Sequence, residues 1–181
     1  MDLNRLTTDD KITLLEFIDR QKKNFQEPND FREFLIECKL ILNPQSYGAK
    51  IQKRWIKDNL YTSVSSSENR GDYKEGTSFV EFKVSYQSNE GWTLLQLRPY
   101  QDIERYDILL VDKKYNYRLY KIPKEIMENL IEKYGGHCHG TKVSNMDNKN
   151  IEYRMDIQKK RLHEIEQYES DTSVKKSGKF F

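Results

Sequence analysis

The sequence predicts a mixed α/β fold, with a central mixed β-sheet flanked by helices. Three observations predict it. Phe31, Phe34, Leu35, Cys38 and Leu42 recur at helical spacing, and so do Ile126, Met127, Leu130 and Ile131. Val80-Glu81-Phe82-Lys83-Val84 alternates apolar and charged residues, the period of a half-buried strand. Two β-favouring runs, Tyr106 to Val111 and Tyr115 to Ile122, flank the polar turn Asp112-Lys113-Lys114, as in a hairpin.

The elements follow in order. Thr7 with Asp10 resembles a capping arrangement, and Ile12, Leu14, Leu15, Phe17 and Ile18 predict a helix from about Thr8 to Lys23. Pro28-Asn29 restarts the chain before the second helix, whose apolar face includes Cys38, so that thiol is expected in the core rather than in catalysis. Asn43-Pro44 supplies a cap and a first-turn proline for a third helix reaching about Leu60, with Ile51 and Trp55 on its packing side. Tyr61 begins a short extended piece that ends in a serine turn. Pro99 argues against a helix through Trp92 to Gln101. If that piece is extended, Gln96 and Arg98 share a face. Pro123 starts a helix to about Tyr134, closed by Gly135-Gly136. Ile151 to Ile157 alternates as a strand, and a charged helix anchored by Leu162 and Ile165 follows over Gln158 to Tyr168. These elements fit one domain over residues 1–169, of which 1–42 form a helical N-terminal part. Residues 170–181 form a basic tail carrying Lys175, Lys176 and Lys179.

Composition narrows the classes. Among 181 residues, 33% are charged and 36% hydrophobic, and the 12% aromatic content argues against disorder. No apolar run approaches the roughly 18 residues needed to cross a bilayer. Met1-Asp2-Leu3-Asn4 lacks the basic-then-apolar start of a secretory signal, and Cys38 and Cys138 form no disulfide framework, so a cytoplasmic protein is expected. The net charge of +2 is weak support for nucleic acid by itself, because an acidic site can mask a basic face.

The chemistry concentrates between Arg70 and Lys83. Strand alternation puts Glu81 and Lys83 on one face. If Asp72 and Glu81 lie on adjacent strands of a hairpin, their carboxylates converge into a site for a hard divalent cation such as Mg2+. Lys83 then stands beside the metal, placed to steady a phosphate or a water. In the preceding helix Lys50, Lys53, Arg54 and Lys57 form a basic arc that can follow a phosphate backbone. The plainer reading is a solvated helix face. Gln96 and Arg98 can address phosphate or base edges near the site; otherwise Gln96 serves a strand edge and Arg98 pairs with Asp102 or Glu104. His137-Cys138-His139 has no second Cys/His pair at finger spacing, which disfavours structural zinc. His137, His139, Thr141 and Lys142 suit a polar loop reaching a DNA groove, as candidates for base reading together with Arg98.

The pattern Asp72, then Glu81-Phe82-Lys83, resembles the PD-(D/E)xK nuclease superfamily, and within it the type II restriction endonucleases. Gly71 stands where that family often has proline. Gln96-Leu97-Arg98-Pro99-Tyr100-Gln101 is similar to a segment that follows the motif in some restriction enzymes, and His139-Gly140-Thr141 looks like a late loop of such proteins. The resemblance runs over residues 43–157 in element order. It implies a restriction-endonuclease-like fold and Mg2+-dependent hydrolysis of double-stranded DNA to 5′-phosphate and 3′-hydroxyl ends. By motif position it makes Asp72 and Glu81 the metal ligands and Lys83 the residue that orients or activates the attacking water. It also implies a homodimer, one site per strand. Some members add an acidic residue from the preceding helix; the matching face here offers Gln52 and Lys53, so no such role is carried over. Two other readings stay open: a non-catalytic DNA-binding module in which Glu81 and Lys83 are a surface ion pair, and a repair or nonspecific nuclease.

Overall fold

The computed structural model describes residues 7–9, 11–13, 15, 16, 27–65, 67, 68, 70–137 and 151–170. The chain divides into two compact units, residues 1–50 and 51–181. Among the described residues no helix is long and apolar enough to cross a membrane.

In the first unit, residues 8, 9, 11–13, 15 and 16 are helical; the rest of the helix expected to Lys23 lies outside the described residues. Helix α1 (Phe31–Ile41) begins where the Asp30 carboxylate accepts the Glu33 N–H at 2.9 Å, which satisfies one of the unpaired donors of the first turn. Its buried face is Phe31, Phe34, Leu35 and Cys38, so the cysteine is a core thiol, as its helical spacing predicts. Helix α2 (Pro44–Asp58) starts within the first unit and ends in the second. Asn43 Oδ1 accepts the Ser46 N–H at 2.9 Å, and Pro44 occupies the first turn, where a missing N–H costs nothing.

The second unit is mixed α/β. Its strands are β1 (Thr62–Ser63), β2 (Tyr73–Glu75), β3 (Ser78–Tyr86), β4 (Gly91–Leu97), β5 (Arg105–Val111), β6 (Tyr117–Pro123), β7 (Gly135–His137), β8 (Tyr153–Gln158) and β9 (Glu169–Ser170), with helix α3 (Lys124–Tyr134) after β6. A six-stranded mixed sheet has the order β1-β2-β3-β5-β6-β9, and β4-β8-β7 form a second sheet of three strands. Among the described residues only β3 and β5 pair in parallel; β2–β3 and β5–β6 are hairpins. A parallel partner cannot be reached by a tight turn, so the chain leaves the main sheet after β3 and returns at β5. It spends that excursion as β4, paired with the distant β8.

The two faces of β3 have different neighbours. Glu81 and Lys83 lie beside Tyr106 and Ile108 of β5. That face of the sheet, with Leu110, Tyr120 and Ile122, packs into a core with Met127 and Ile131 of α3 and with Trp92, Leu94, Leu97, Met155 and Ile157 of the second sheet. On the other face Phe82 neighbours Asp107 and stacks on Trp55 of α2, with ring centroids 5.9 Å apart and planes at 21°. Ile51 and Trp55, four residues apart, are buried on the same side of α2.

One element departs from the sequence reading. Residues 158–168 do not form an α-helix; they form two 3₁₀ stretches, Lys159–Glu164 and Glu166–Tyr168. The reason is the spacing of the anchors. Leu162, Ile165 and Tyr168 recur every three residues and all reach the core. A three-residue period aligns with the 3₁₀ turn, in which i and i+3 eclipse, and drifts off the face of an α-helix.

Candidate active site

The β2–β3 hairpin builds the site. Glu75 pairs with Ser78, so the turn is the two residues Gly76-Thr77, and Gly76 adopts φ 63°. Tyr73 pairs with Val80, and Asp72 stands in a bend one residue before β2, where the charge on Glu81 acts on its carboxylate. Asp72 is thus at the edge of the hairpin rather than within its strand, close enough to Glu81 for the two charges to interact. The Asp72 N–H donates to the Val80 carbonyl at 2.8 Å, and the Phe82 N–H donates to Asp72 Oδ2 at 2.8 Å. Main chain and side chain of Asp72 are both tied to β3.

The backbone at Gly71 excludes proline. Its φ is 74°, which a proline ring cannot adopt. A Cβ there would meet the Val80 carbonyl oxygen at 2.6 Å and Ile103 Cγ2 at 2.9 Å. The close approach that glycine allows is to the backbone of β3.

Glu81 is 3% exposed, and both of its oxygens are engaged. Oε1 lies 2.6 Å from Lys83 Nζ, and Oε2 accepts from Gln101 Nε2 at 3.1 Å. Burial pushes the Asp72 carboxyl up to about 6, and the charge on Glu81 adds to the rise; Lys83, the Phe82 N–H and a hydrogen bond to the Gln52 side chain oppose it. The site is thus one buried and one half-buried carboxylate with one ammonium, short of positive charge.

Two residues join that had been given no role. Gln52 projects from α2 to Asp72, so the preceding helix does contribute, with an amide in place of an acid. Gln101 is 4% exposed and closes a turn by donating its N–H to the Arg98 carbonyl at 3.0 Å. Lys124 Nζ donates to the Gln101 carbonyl at 2.7 Å, which anchors that turn to the start of α3. The signal for Gln101 was the second glutamine of Gln96-Leu97-Arg98-Pro99-Tyr100-Gln101.

The first glutamine of that segment is placed differently. Gln96 has φ 55° within a β-bulge of β4, is exposed, and is not among the described groups bonded to Asp72, Glu81 or Lys83. The bulge also removes the strict alternation that would have put Gln96 and Arg98 on one face. Arg98 pairs with neither Asp102 nor Glu104. Its Nε and a terminal nitrogen donate to Glu152 Oε1 at 2.9 and 2.6 Å. The Glu81 charge also reaches it, among the influences that hold the guanidinium protonated.

The basic arc on α2 divides in two. Lys53 and Lys57 are exposed, whereas Arg54 is bound to Asp58 at 2.6 Å and Lys50 lies 3.4 Å from Glu27. The backbone of His137 ends β7; Cys138, His139, Thr141 and Lys142 lie outside the described residues, as does most of the basic tail.

The oxygen-rich set suits a hard divalent cation. The charges of half-buried Asp72 and buried Glu81 repel each other, and a cation between them would remove that repulsion. Among the described residues no group of three or more His, Cys, Asp or Glu side chains could hold a metal, so carboxylates alone do not complete a shell. Water, phosphate and amide oxygens would supply the rest, as is usual for magnesium.

A second polar cluster lies on the opposite face of the sheet. Asp107, fully buried, accepts from Tyr73 Oη and from Arg105 Nε, the latter at 2.7 Å. Glu75 accepts from Arg105, from Lys121 Nζ at 3.1 Å and from Tyr61 Oη at 3.0 Å. Each carboxylate there has cationic or hydroxyl partners, in contrast to Asp72. This network ties β2, β5 and β6 together and serves the sheet.

No protein-family model matches the chain, and no curated protein matches it as a relative.

Proposed function

We propose that the protein is a Mg2+-dependent, site-specific endonuclease of double-stranded DNA with a restriction-endonuclease-like fold. One observation carries the reading: Asp72, held to β3 by the Phe82 N–H at 2.8 Å, lies near enough to Glu81 for their charges to repel, with Lys83 Nζ 2.6 Å from Glu81. The mixed sheet with the hairpin at one side of a parallel β3–β5 pair is compatible with it.

Asp72 and Glu81 would hold the metal, which supplies charge neutralisation at the scissile phosphate and acidity to a water. The protein's own groups do the rest. The Phe82 N–H and the Gln101 amide fix the orientation of the two carboxylates before substrate arrives. Lys83 stabilises negative charge growing on the phosphate and holds the attacking water in line. Water oxygen bonds to phosphorus as the bond to the 3′ oxygen breaks, leaving 5′-phosphate and 3′-hydroxyl ends with no covalent enzyme intermediate. Lys53 and Lys57, exposed on α2, contact the DNA backbone. Cutting both strands at one sequence calls for a homodimer with one site per strand.

A second reading has an observation of its own. The Lys83–Glu81 pair is complete without any ligand, which suits a non-catalytic DNA-binding module, although its glutamate is buried rather than at the surface as that reading expected. Incubation of supercoiled plasmid with the protein and Mg2+ separates these readings. Discrete linear fragments support site-specific cleavage, and sequencing their ends gives the site and the cut. A smear points to a repair or nonspecific nuclease. Intact plasmid that is nonetheless shifted on a gel sinks the enzymatic reading.

A further inference from the structure

Gln101 carries an unused oxygen at the centre of the site. Its side chain is buried at 4% exposure, and Oε1 has no hydrogen-bond partner among the described residues. A buried amide oxygen left unpaired costs on the order of 1–3 kcal/mol, so the position is otherwise a poor place for glutamine. The same amide touches Glu81 through Nε2, 3.1 Å from Oε2. Its main chain is fixed at both ends, by its N–H to the Arg98 carbonyl and by Lys124 Nζ on its own carbonyl.

We infer that Gln101 Oε1 is a third oxygen ligand of a divalent-cation site shared with Asp72 and Glu81. The inference rests on the metal-dependent reading above and adds a neutral ligand to it. Without a cation, the amide must turn its nitrogen to Glu81, because two oxygens facing each other repel. With a cation between them, rotation of the amide about its last torsion presents Oε1 in place of Nε2. The fixed main chain keeps the amide at Glu81 in either state. Lys83, now against Glu81 Oε1, is released toward the phosphate when the cation takes over part of its charge-balancing role.

The test is calorimetric titration of Mn2+ alone into the full-length protein, with thermal unfolding in the same buffers. Wild type, Asp72→Asn, Gln101→Met and Gln101→Glu are compared. Methionine keeps the length of glutamine and removes both polar atoms. The expected result is a Mn2+ affinity at least about tenfold weaker in Gln101→Met, in the range seen when a supporting group of a metal site is lost. Gln101→Glu, with a charged oxygen at the same reach, should bind at least as tightly as wild type and show a larger rise in Tm on Mn2+ addition. Mn2+ binding lost in Asp72→Asn but unchanged in Gln101→Met overturns the ligand role and leaves the nuclease reading standing. No Mn2+ binding by wild type overturns both. If Gln101→Met does not fold, Gln101→Glu decides: weaker binding than wild type removes Gln101 from the ligand set.

Discussion

Phe82 donates its backbone N–H to the carboxylate of Asp72 at 2.8 Å across ten residues of sequence. Phe82 lies between Glu81 and Lys83, so one peptide group of β3 orients the carboxylate on the facing chain while its neighbours carry the other two charged groups. The side chain of Phe82 points away and stacks on Trp55. Packing on one face therefore determines where the chemistry sits on the other.

Removing a charge from this set should stop catalysis without unfolding the sheet. Asp72→Asn and Glu81→Gln are expected to abolish plasmid cleavage in Mg2+ and to retain part of the DNA binding. Lys83→Ala should keep the fold and lose most turnover, by roughly 10²–10⁴-fold if it serves as a proton-transfer or charge-stabilising group. Normal cutting by Asp72→Asn would remove the metal assignment, and full activity of Lys83→Ala would remove the lysine from the mechanism.

Asp72 also makes stability depend on pH in the direction opposite to an ordinary carboxylate. Its folded pKa is raised from 3.8 to about 6 by burial and by Glu81. Between those values the folded state holds a proton that the unfolded state has released. Stability is therefore favoured below about pH 4 and lost as pH rises through 6, by on the order of 3 kcal/mol for a shift of this size. Urea midpoints of metal-free protein at pH 5 and pH 7.5 should differ more in wild type than in Asp72→Asn. Equal differences in the two proteins would refute the assignment. Added Mg2+ should recover stability selectively at the higher pH, since it binds the folded carboxylates.

Restoring the residue the motif most often carries should do harm here. Gly71→Pro cannot reach φ 74°, and even Gly71→Ala drives a methyl group to within 2.6 Å of the Val80 carbonyl oxygen. The alanine variant is expected to lose more than about 1 kcal/mol in urea unfolding, and the proline variant more again, with cleavage impaired because Asp72 is the next residue. A proline variant of wild-type stability would show that the turn has another conformation.

Two of the four basic residues of α2 should account for the salt dependence of DNA binding. Lys53 and Lys57 are exposed, while Arg54 is bound to Asp58. Lys53→Ala with Lys57→Ala should lower the slope of log affinity against log salt concentration by about 2, the loss of two phosphate contacts. Arg54→Ala should change that slope little and act chiefly on stability. Fluorescence anisotropy with a labelled duplex over a range of salt measures both.

Local elements were legible because their causes are local. The alternation around Phe82, the cap at Asn43 and the hairpin around Asp112 each depend on a few neighbouring residues, and each is present. Asp72 and Glu81 could be anticipated as a pair because one hairpin joins them. Gln101 could not. It reaches Glu81 only because β4 leaves the main sheet to pair with β8, and the chain then turns back at Arg98 to Gln101. That path depends on a partner strand more than fifty residues away. Gln96 looked equivalent to Gln101 in composition, but its left-handed backbone at the bulge takes it out of the alternation on which the reading relied. Residues 158–168 show a different limit: Leu162 and Ile165 alone, three apart, fit either helix type, and the period of three emerges only once Tyr168 is known to reach the core.

The turn Gly76-Thr77 acts as the ruler of the site. With only two residues between Glu75 and Ser78, it fixes the register that pairs Tyr73 with Val80 and so holds Asp72 against β3 at Phe82, beside Glu81. A one-residue insertion there would leave the composition and both strands intact, yet slip the pairing by a step and hand the place of Glu81 to an apolar neighbour. If the proposed cleavage is right, the length of this exposed loop should matter to it as much as the identity of the carboxylates, and a library that varies its length while keeping every charged residue would read out that constraint.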